Sequence, residues 1–199
     1  MTYVIAGLGN PGAEYTDTRH NVGRMVADAF VKKQNLPELE ADKMSKALVS
    51  EGKIGRVKVI VLEPETFMNK SGESVGKLVK SKKAAETLVV IHDDLDLPLG
   101  RMKVSFNKSS GGHRGVESII KAVKTQEFIR VRIGITPATA GGKLKKPQGE
   151  DIINDFIVAD FKKPEMEVLK KVIKNAQEAL EMIVSEGRDK AMGVYNSLS

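Results

Sequence analysis

Residues 3–23, YVIAGLGNPGAEYTDTRHNVG, limit what this chain can fold into more than any other stretch. Residues 3–6 are apolar, and Gly7, Gly9, Pro11 and Gly12 then break the run. That pattern predicts a buried strand turning sharply at its C-terminal end. Asn10 lies in the turn. Arg19, His20 and Asn21 follow, and a helical pattern starts at once, with Val22, Met25, Val26, Ala29 and Phe30 on one face and Asn21 as the expected N-cap. An amide, an imidazole and a guanidinium are thereby carried on two loops, each anchored by a regular element. Sites are built this way, from polar groups on a rigid support.

Gly7, Gly9 and Gly12 match the spacing of a dinucleotide fingerprint. That fingerprint needs its third glycine inside a helix that opens directly after the strand. Here Pro11 and the polar run 14–19 intervene, and the acidic residue expected after a second strand falls on Asp28, within the helical pattern. A lone histidine at a helix start is ordinarily a satisfied structural residue. His20, flanked by Arg19 and Asn21 behind a glycine turn, is the better candidate for chemistry.

The rest of the composition narrows the function. No cysteine is present, which excludes disulfides, thiolate metal sites and a cysteine nucleophile. No apolar run approaches a membrane span and no secretory signal opens the chain, so a cytoplasmic protein is expected. A length of 199 residues suits one domain, taken as 1–199. The net charge of +6 suggests a polyanionic partner. Aromatics are only 5%, with no Trp, which argues against long arrays of base-stacking platforms.

Along the chain, residues 36–45 read as irregular, and 47–50 and 57–62 as a hairpin turning at 52–55. In EPETFMNKSG (63–72), Pro64 stops the strand, and Phe67, Met68 and Asn69 precede a helix through Val75, Leu78 and Val79. Phe67 and Met68 either wall a binding site or pack beneath the loop. The most hydrophobic strand, 87–91, runs straight into His92, Asp93, Asp94 and Asp96. Such charges are costly unless solvated or paired. Ligands bind at the carboxyl ends of strands in open α/β sheets, so Asn10 and Asp93 point to one rim, with one of the Asp residues expected to serve a turn or cap. A strand at 101–106 leads into a loop with Lys108, His113 and Arg114, then a helix at 116–124, an arrangement that favours an anion. A strand at 129–135 precedes a basic rim loop at 136–150. Residues 151–163 carry no assignment. A long helix at 164–185 ends at Gly187, before a short one with Met192 and Tyr195.

No GxSxG elbow supports serine catalysis, and no ligand spacing recommends a metal site from His20, His92, His113 and the Asp cluster. What remains is a histidine base, a carboxylate to orient it and stabilise its cation, and Asn amides to bind a carbonyl or hold a water. That is a water-activating hydrolase site, with an ester or similar bond on a polyanion as the expected substrate.

GLGNPGAEYTDTRHNVG, EPETFMNKSG, HDDLDLPLG and GGHRG resemble, in order and spacing, the signature blocks of bacterial-type peptidyl-tRNA hydrolase. The resemblance implies one α/β domain with a mixed, twisted β-sheet flanked by helices, of the phosphorylase/hydrolase-like kind. It implies hydrolysis of the ester between a peptide and the terminal ribose of tRNA, by a monomer that needs no metal or cofactor and binds the acceptor stem and 3′ end. It places His20 as the base and Asp93 as its supporting carboxylate. Asn10 would recognise the blocked, peptide-like substrate, and Asn69 would bind substrate and help place the water. Tyr15 and Phe67 would contact the acceptor end, with His113 and Arg114 also on the tRNA side. The family usually has GGHNG, so Arg114 departs from it. An Arg accepts no hydrogen bond, but it pairs readily with phosphate. The alternative implied is a non-catalytic RNA-binding relative of the same fold, such as a plant organelle splicing factor.

Overall fold

The structure is a computed structural model and describes residues 1–197. Its central strand is β1 (Thr2–Gly7). Tyr3 and Ile5 enter one apolar cluster, and Val4, Ala6 and Leu8 the other. A strand buried on both faces belongs inside a sheet. With β2 (Glu40–Asp42), β3 (Ala47–Ile54), β4 (Val57–Pro64), β5 (Leu88–Pro98), β6 (Met102–Phe106) and β7 (Ile129–Thr136), the order is β2-β3-β4-β1-β5-β7-β6. The strands β4, β1, β5 and β7 are parallel, and β2, β3 and β6 add to the edges antiparallel. The expected single-domain α/β fold with a mixed sheet flanked by helices is the one observed.

On one face of the sheet pack α1 (Val22–Lys33), α6 (Lys163–Glu186) and α7 (Arg188–Ser197). On the other lie α2 (Ser71–Leu78), the short α3 (Lys82–Ala85) and α4 (Arg114–Val123). The start of α1 is pressed against the ends of two strands. A Cβ on Gly23 would lie 2.4 Å from the carbonyl oxygen of Ile91 and 2.6 Å from the nitrogen of Leu8, so only glycine fits. This close approach brings the turn before α1, which carries His20, to the end of β5, which carries Asp93.

Several details differ from the sequence expectation. The hairpin strand β3 runs through Gly52 to Ile54, and the turn falls at Gly55, whose φ is 58°. Residues 36–45 contain the short edge strand β2. β5 does not stop before the charged cluster. It continues to Pro98, pairing His92 with Arg132 and Asp93 with Ile133 before a bulge between Asp94 and Pro98. The charge of Asp94 is accommodated because Arg132 of β7 meets it at 2.7 Å. The last residue of the expected rim loop and the first part of the unassigned segment form α5 (Glu150–Val158), none of whose residues is fully buried.

Candidate active site

His20 sits in a 3₁₀ turn, Arg19–Asn21, directly before α1. Its Nδ1 lies 2.8 Å from Asp93 Oδ1. The same carboxylate oxygen receives His113 Nε2 at 3.0 Å. His113 is the N-cap of α4, and its Nδ1 accepts the backbone N–H of Val116 at 3.2 Å. That bond leaves Nδ1 unprotonated, so the proton of neutral His113 is on Nε2 and points at Asp93. Asp93 in turn fixes the Nδ1–H tautomer of neutral His20. The Nε2 lone pair of His20 then has no partner among the described residues.

Asp93 is 3% exposed. Burial opposes its ionisation, but the charge His20 can carry and the N–H groups of both imidazoles outweigh burial and hold its carboxyl well below the usual range. Beneath it lies His92, held in the neutral form because burial depresses its pKa, with His113 and Arg130 adding to the effect. His92 Nδ1 donates to the carbonyl of Asp93 at 2.7 Å, and its ring meets His113 edge-on at 4.7 Å. Sequence reading had no specific role for His92. Its position one residue before Asp93, in a strand, was the available signal.

Asn10 is held by its own backbone. Its N–H donates to Asn21 Oδ1 at 2.8 Å, and its carbonyl accepts from Asn21 Nδ2 at 2.9 Å. Asn21 was expected as a side-chain cap of α1. It makes no cap bond, because both ends of its amide are spent on Asn10. Asn10 Oδ1 accepts the N–H of Met68 at 2.9 Å, which joins the first glycine turn to the 3₁₀ turn Met68–Lys70. Asn69 follows directly and is exposed. The two readings of Phe67 and Met68 divide between them: Met68 is 4% exposed and packs under the loop, while Phe67 is 58% exposed. Tyr15 is half-buried in the turn Ala13–Tyr15.

A cavity of about 440 Å³ opens over His20, Asp93 and His113. Its outer wall is made by Arg114, Lys146, Glu150, Ile153 and Ile157. Arg114 is ion-paired with Glu150 across the mouth, and Lys146 with Asp96 at 2.6 Å. Asn10 lines a second cavity of about 520 Å³, and Tyr15, Phe67 and Asn69 line neither. Asp94 supplies the expected turn, accepting the N–H of Asp96 at 2.8 Å. Arg19 does not reach the site. Its Nη1 donates to the carbonyls of Ala159 and Asp160 at 3.0 and 2.9 Å, and its Nη2 meets Glu165 at 2.7 Å. With Phe156 4.6 Å below its guanidinium, Arg19 fastens the junction of α5 and α6 to the turn that carries His20.

His20, Asp93 and His113 have ligand atoms within 4.8 Å of one another, close enough to converge on a metal ion. In this arrangement those atoms are directed at each other, and a metal would require both bonds to Asp93 to break. The geometry is instead that of an oriented imidazole on a permanent anion, with space before Nε2 for a water and a substrate.

Comparison with known proteins agrees with this architecture. The sequence profile of the family described as peptidyl-tRNA hydrolase matches residues 4–199. A peptidyl-tRNA hydrolase of Thermodesulfovibrio yellowstonii is 39% identical over 98% of this chain and 99% of its own length. That of Carboxydothermus hydrogenoformans is 42% identical over 98% of each. The crystal structure of peptidyl-tRNA hydrolase from Acinetobacter baumannii superposes with a TM-score of 0.87 at 28% identity, covering 98% of this chain and 94% of that one. With a match running almost from end to end, this chain belongs to the peptidyl-tRNA hydrolase family.

Proposed function

We infer that the protein hydrolyses the ester linking a peptide to the terminal ribose of tRNA, releasing free tRNA and peptide. The observation that carries the reading is the pair of imidazole bonds converging on Asp93 Oδ1, which leaves His20 Nε2 as the free base over the cavity. His20 Nε2 takes a proton from a water as that water attacks the ester carbonyl. Asp93 stabilises the imidazolium that forms. The tetrahedral intermediate collapses with cleavage of the bond to the ribose oxygen, and His20 returns the proton to that oxygen. The carboxylic acid product gives up its proton to solvent. Asn10 and Asn69 provide amides for the peptide carbonyl and N–H and for the water. Asn10 keeps its Nδ2 free for this while Oδ1 is held by Met68.

Exposed Phe67 and half-buried Tyr15 offer faces for the acceptor-end bases. Arg114 is the contact for a phosphate near the 3′ end. Its ion pair with Glu150 is solvent-exposed and hence weak, on the order of 0–1 kcal/mol, so a phosphate can displace the carboxylate. His113 belongs with Asp93 rather than with tRNA, because both ring nitrogens are already engaged.

The test is single-turnover hydrolysis of an N-acetyl-aminoacyl-tRNA beside the same tRNA carrying an unblocked amino acid. Cleavage of only the blocked substrate, lost in His20→Ala, is the expected result. Tight tRNA binding without cleavage by the wild type would transfer the protein to the RNA-binding relatives of this fold.

A further inference from the structure

Arg24 lies in the first turn of α1, away from the His20 cavity, and it touches both loops to which substrate recognition has been assigned. Its stem runs over Gly9: a Cβ there would fall 2.6 Å from Arg24 Cδ and 2.8 Å from Cγ. Its head faces the chain after β4. Nε meets Glu63 Oε2 at 3.0 Å and Nη2 meets Glu65 Oε1 at 2.6 Å. Nη1 makes longer contacts to the carbonyls of Asn10 at 3.4 Å and Pro64 at 3.5 Å. One side chain thus spans from the turn bearing Asn10 to the segment that leads to Phe67 and Asn69. Beyond it, the only direct link described between those two loops is the bond from Met68 N to Asn10 Oδ1.

We propose that Arg24 is a positioning residue for substrate recognition, setting the distance between the Asn10 turn and the 63–69 loop, and that the ionisation of Glu63 tightens this tie. The proposal rests on the assignment of Asn10 and Asn69 as substrate-binding amides. Glu63 is 2% exposed, and its Oε1 has no hydrogen-bond partner among the described residues. It faces Arg24 and Asp28 from α1 and Glu65 from its own segment, and Lys32 flanks Asp28. Burial and Asp28 push its carboxyl up to about 7, with Arg24 opposing. The Arg24 guanidinium donates a charge-assisted bond to Glu63 in either state, and ionisation of Glu63 adds the attraction of opposite charges to that bond. The two loops are therefore held more firmly above pH 7 than below it.

Arg24→Met alone leaves Glu63 buried without its cation, so the charge-balanced pair Arg24→Met with Glu63→Gln is the main variant. Steady-state hydrolysis of N-acetyl-aminoacyl-tRNA is measured with wild type, the double variant, Arg24→Lys and Glu63→Gln between pH 6 and 8, beside the unblocked substrate. The double variant is expected to raise KM about tenfold with kcat within about threefold, and to narrow the preference for blocked substrate. Arg24→Lys, which keeps the charge but loses the fork, should fall between. Wild-type KM should drop several-fold from pH 6 to 8, and Glu63→Gln should hold it near the pH 6 level throughout. A double variant with wild-type KM and preference overturns the proposal, even if its thermal stability falls. An unchanged pH response in Glu63→Gln overturns the role of Glu63. A wild type that cleaves neither substrate overturns the proposal together with the assignment it rests on.

Discussion

Asp93 and Glu63 stand on the two strands that flank β1, and their residues are 3% and 2% exposed. Each has a basic side chain at hydrogen-bond distance, yet they titrate in opposite directions. Burial penalises both anions. Asp93 Oδ1 meets two imidazole N–H groups, and its carboxyl is held well below the usual range. Among the described residues Glu63 receives Arg24 on Oε2 only, while Oε1 meets no donor and Asp28 adds a like charge, so burial and Asp28 raise its carboxyl to about 7. An opposite charge at contact distance does not by itself keep a buried carboxylate ionised. Donors on its lone pairs and the absence of neighbouring anions decide the outcome. Asp93 is therefore a fixed anion suited to orienting a base, and Glu63 is a group that changes state near neutrality.

The Asp93 side breaks most severely. His20→Ala should lower kcat by at least about a thousandfold, because no other unpaired base faces the cavity among the described residues. Asp93→Asn should lower kcat by about 10²- to 10⁴-fold in the same single-turnover assay. An amide at this position cannot accept from His20 and His113 as a carboxylate does, and His20 loses both its tautomer and the support for its cation. The sign for stability follows from the depressed pKa. Ionised Asp93 contributes stability above its unfolded value of about 3.8, and this is lost as pH falls toward its folded value. Thermal melts of wild type and Asp93→Asn should therefore converge only below about pH 4.

Glu63 should show the opposite slope. Its folded pKa is raised from 4.5 to about 7, so between these values the folded state holds a proton that the unfolded chain has released. Stability from this group is full below pH 4.5 and is lost as pH rises to about 7. Comparing wild type with Glu63→Gln removes the constant cost of altering the Arg24 pair. Urea unfolding at pH 5 and pH 8 should shift the difference between the two proteins by roughly 2–3 kcal/mol in favour of the variant at pH 8. A difference independent of pH would mean that Glu63 is ionised throughout, as Asp93 is.

The same contrast explains what the sequence made legible. The glycine turn, α1 and the hydrophobic strands were readable because their apolar periodicity reflects burial on a sheet face. His20, Asn10 and Asp93 were readable because they sit where those periodic elements end. The resemblance named the roles, and the close packing of Gly23 on Ile91 and Leu8 is what makes the distances come out. Residues whose partners are remote in the chain were not legible. By sequence Arg19 reads as a site residue, yet it is spent on residues 159–165, and Asn21 reads as a cap, yet its amide is spent on Asn10. The pairing of Arg24 with Glu63 spans 39 positions and leaves no local pattern. α5 escaped because none of its residues is fully buried, which weakens the periodicity a helix shows when it covers a core.

The smallest effects belong to charges that water already screens. Arg114 and Glu150 have side chains 57% and 76% exposed, so their ion pair contributes little to folding. Arg114→Ala should change the melting temperature hardly at all. It should raise KM about threefold and make the slope of log KM against log salt shallower by about one, as expected for the loss of one phosphate contact. A KM and a salt slope equal to those of the wild type would remove Arg114 from the tRNA interface. Glu150→Gln then separates competition from simple proximity. If Glu150 holds Arg114 until a phosphate displaces it, neutralising the carboxylate should lower KM by about twofold at low salt. The gain should vanish at high salt, where the Debye length shrinks toward about 3 Å at 1 M. A rise in KM would instead place Glu150 on the substrate side of the contact, as a group that aims Arg114 rather than one that competes for it.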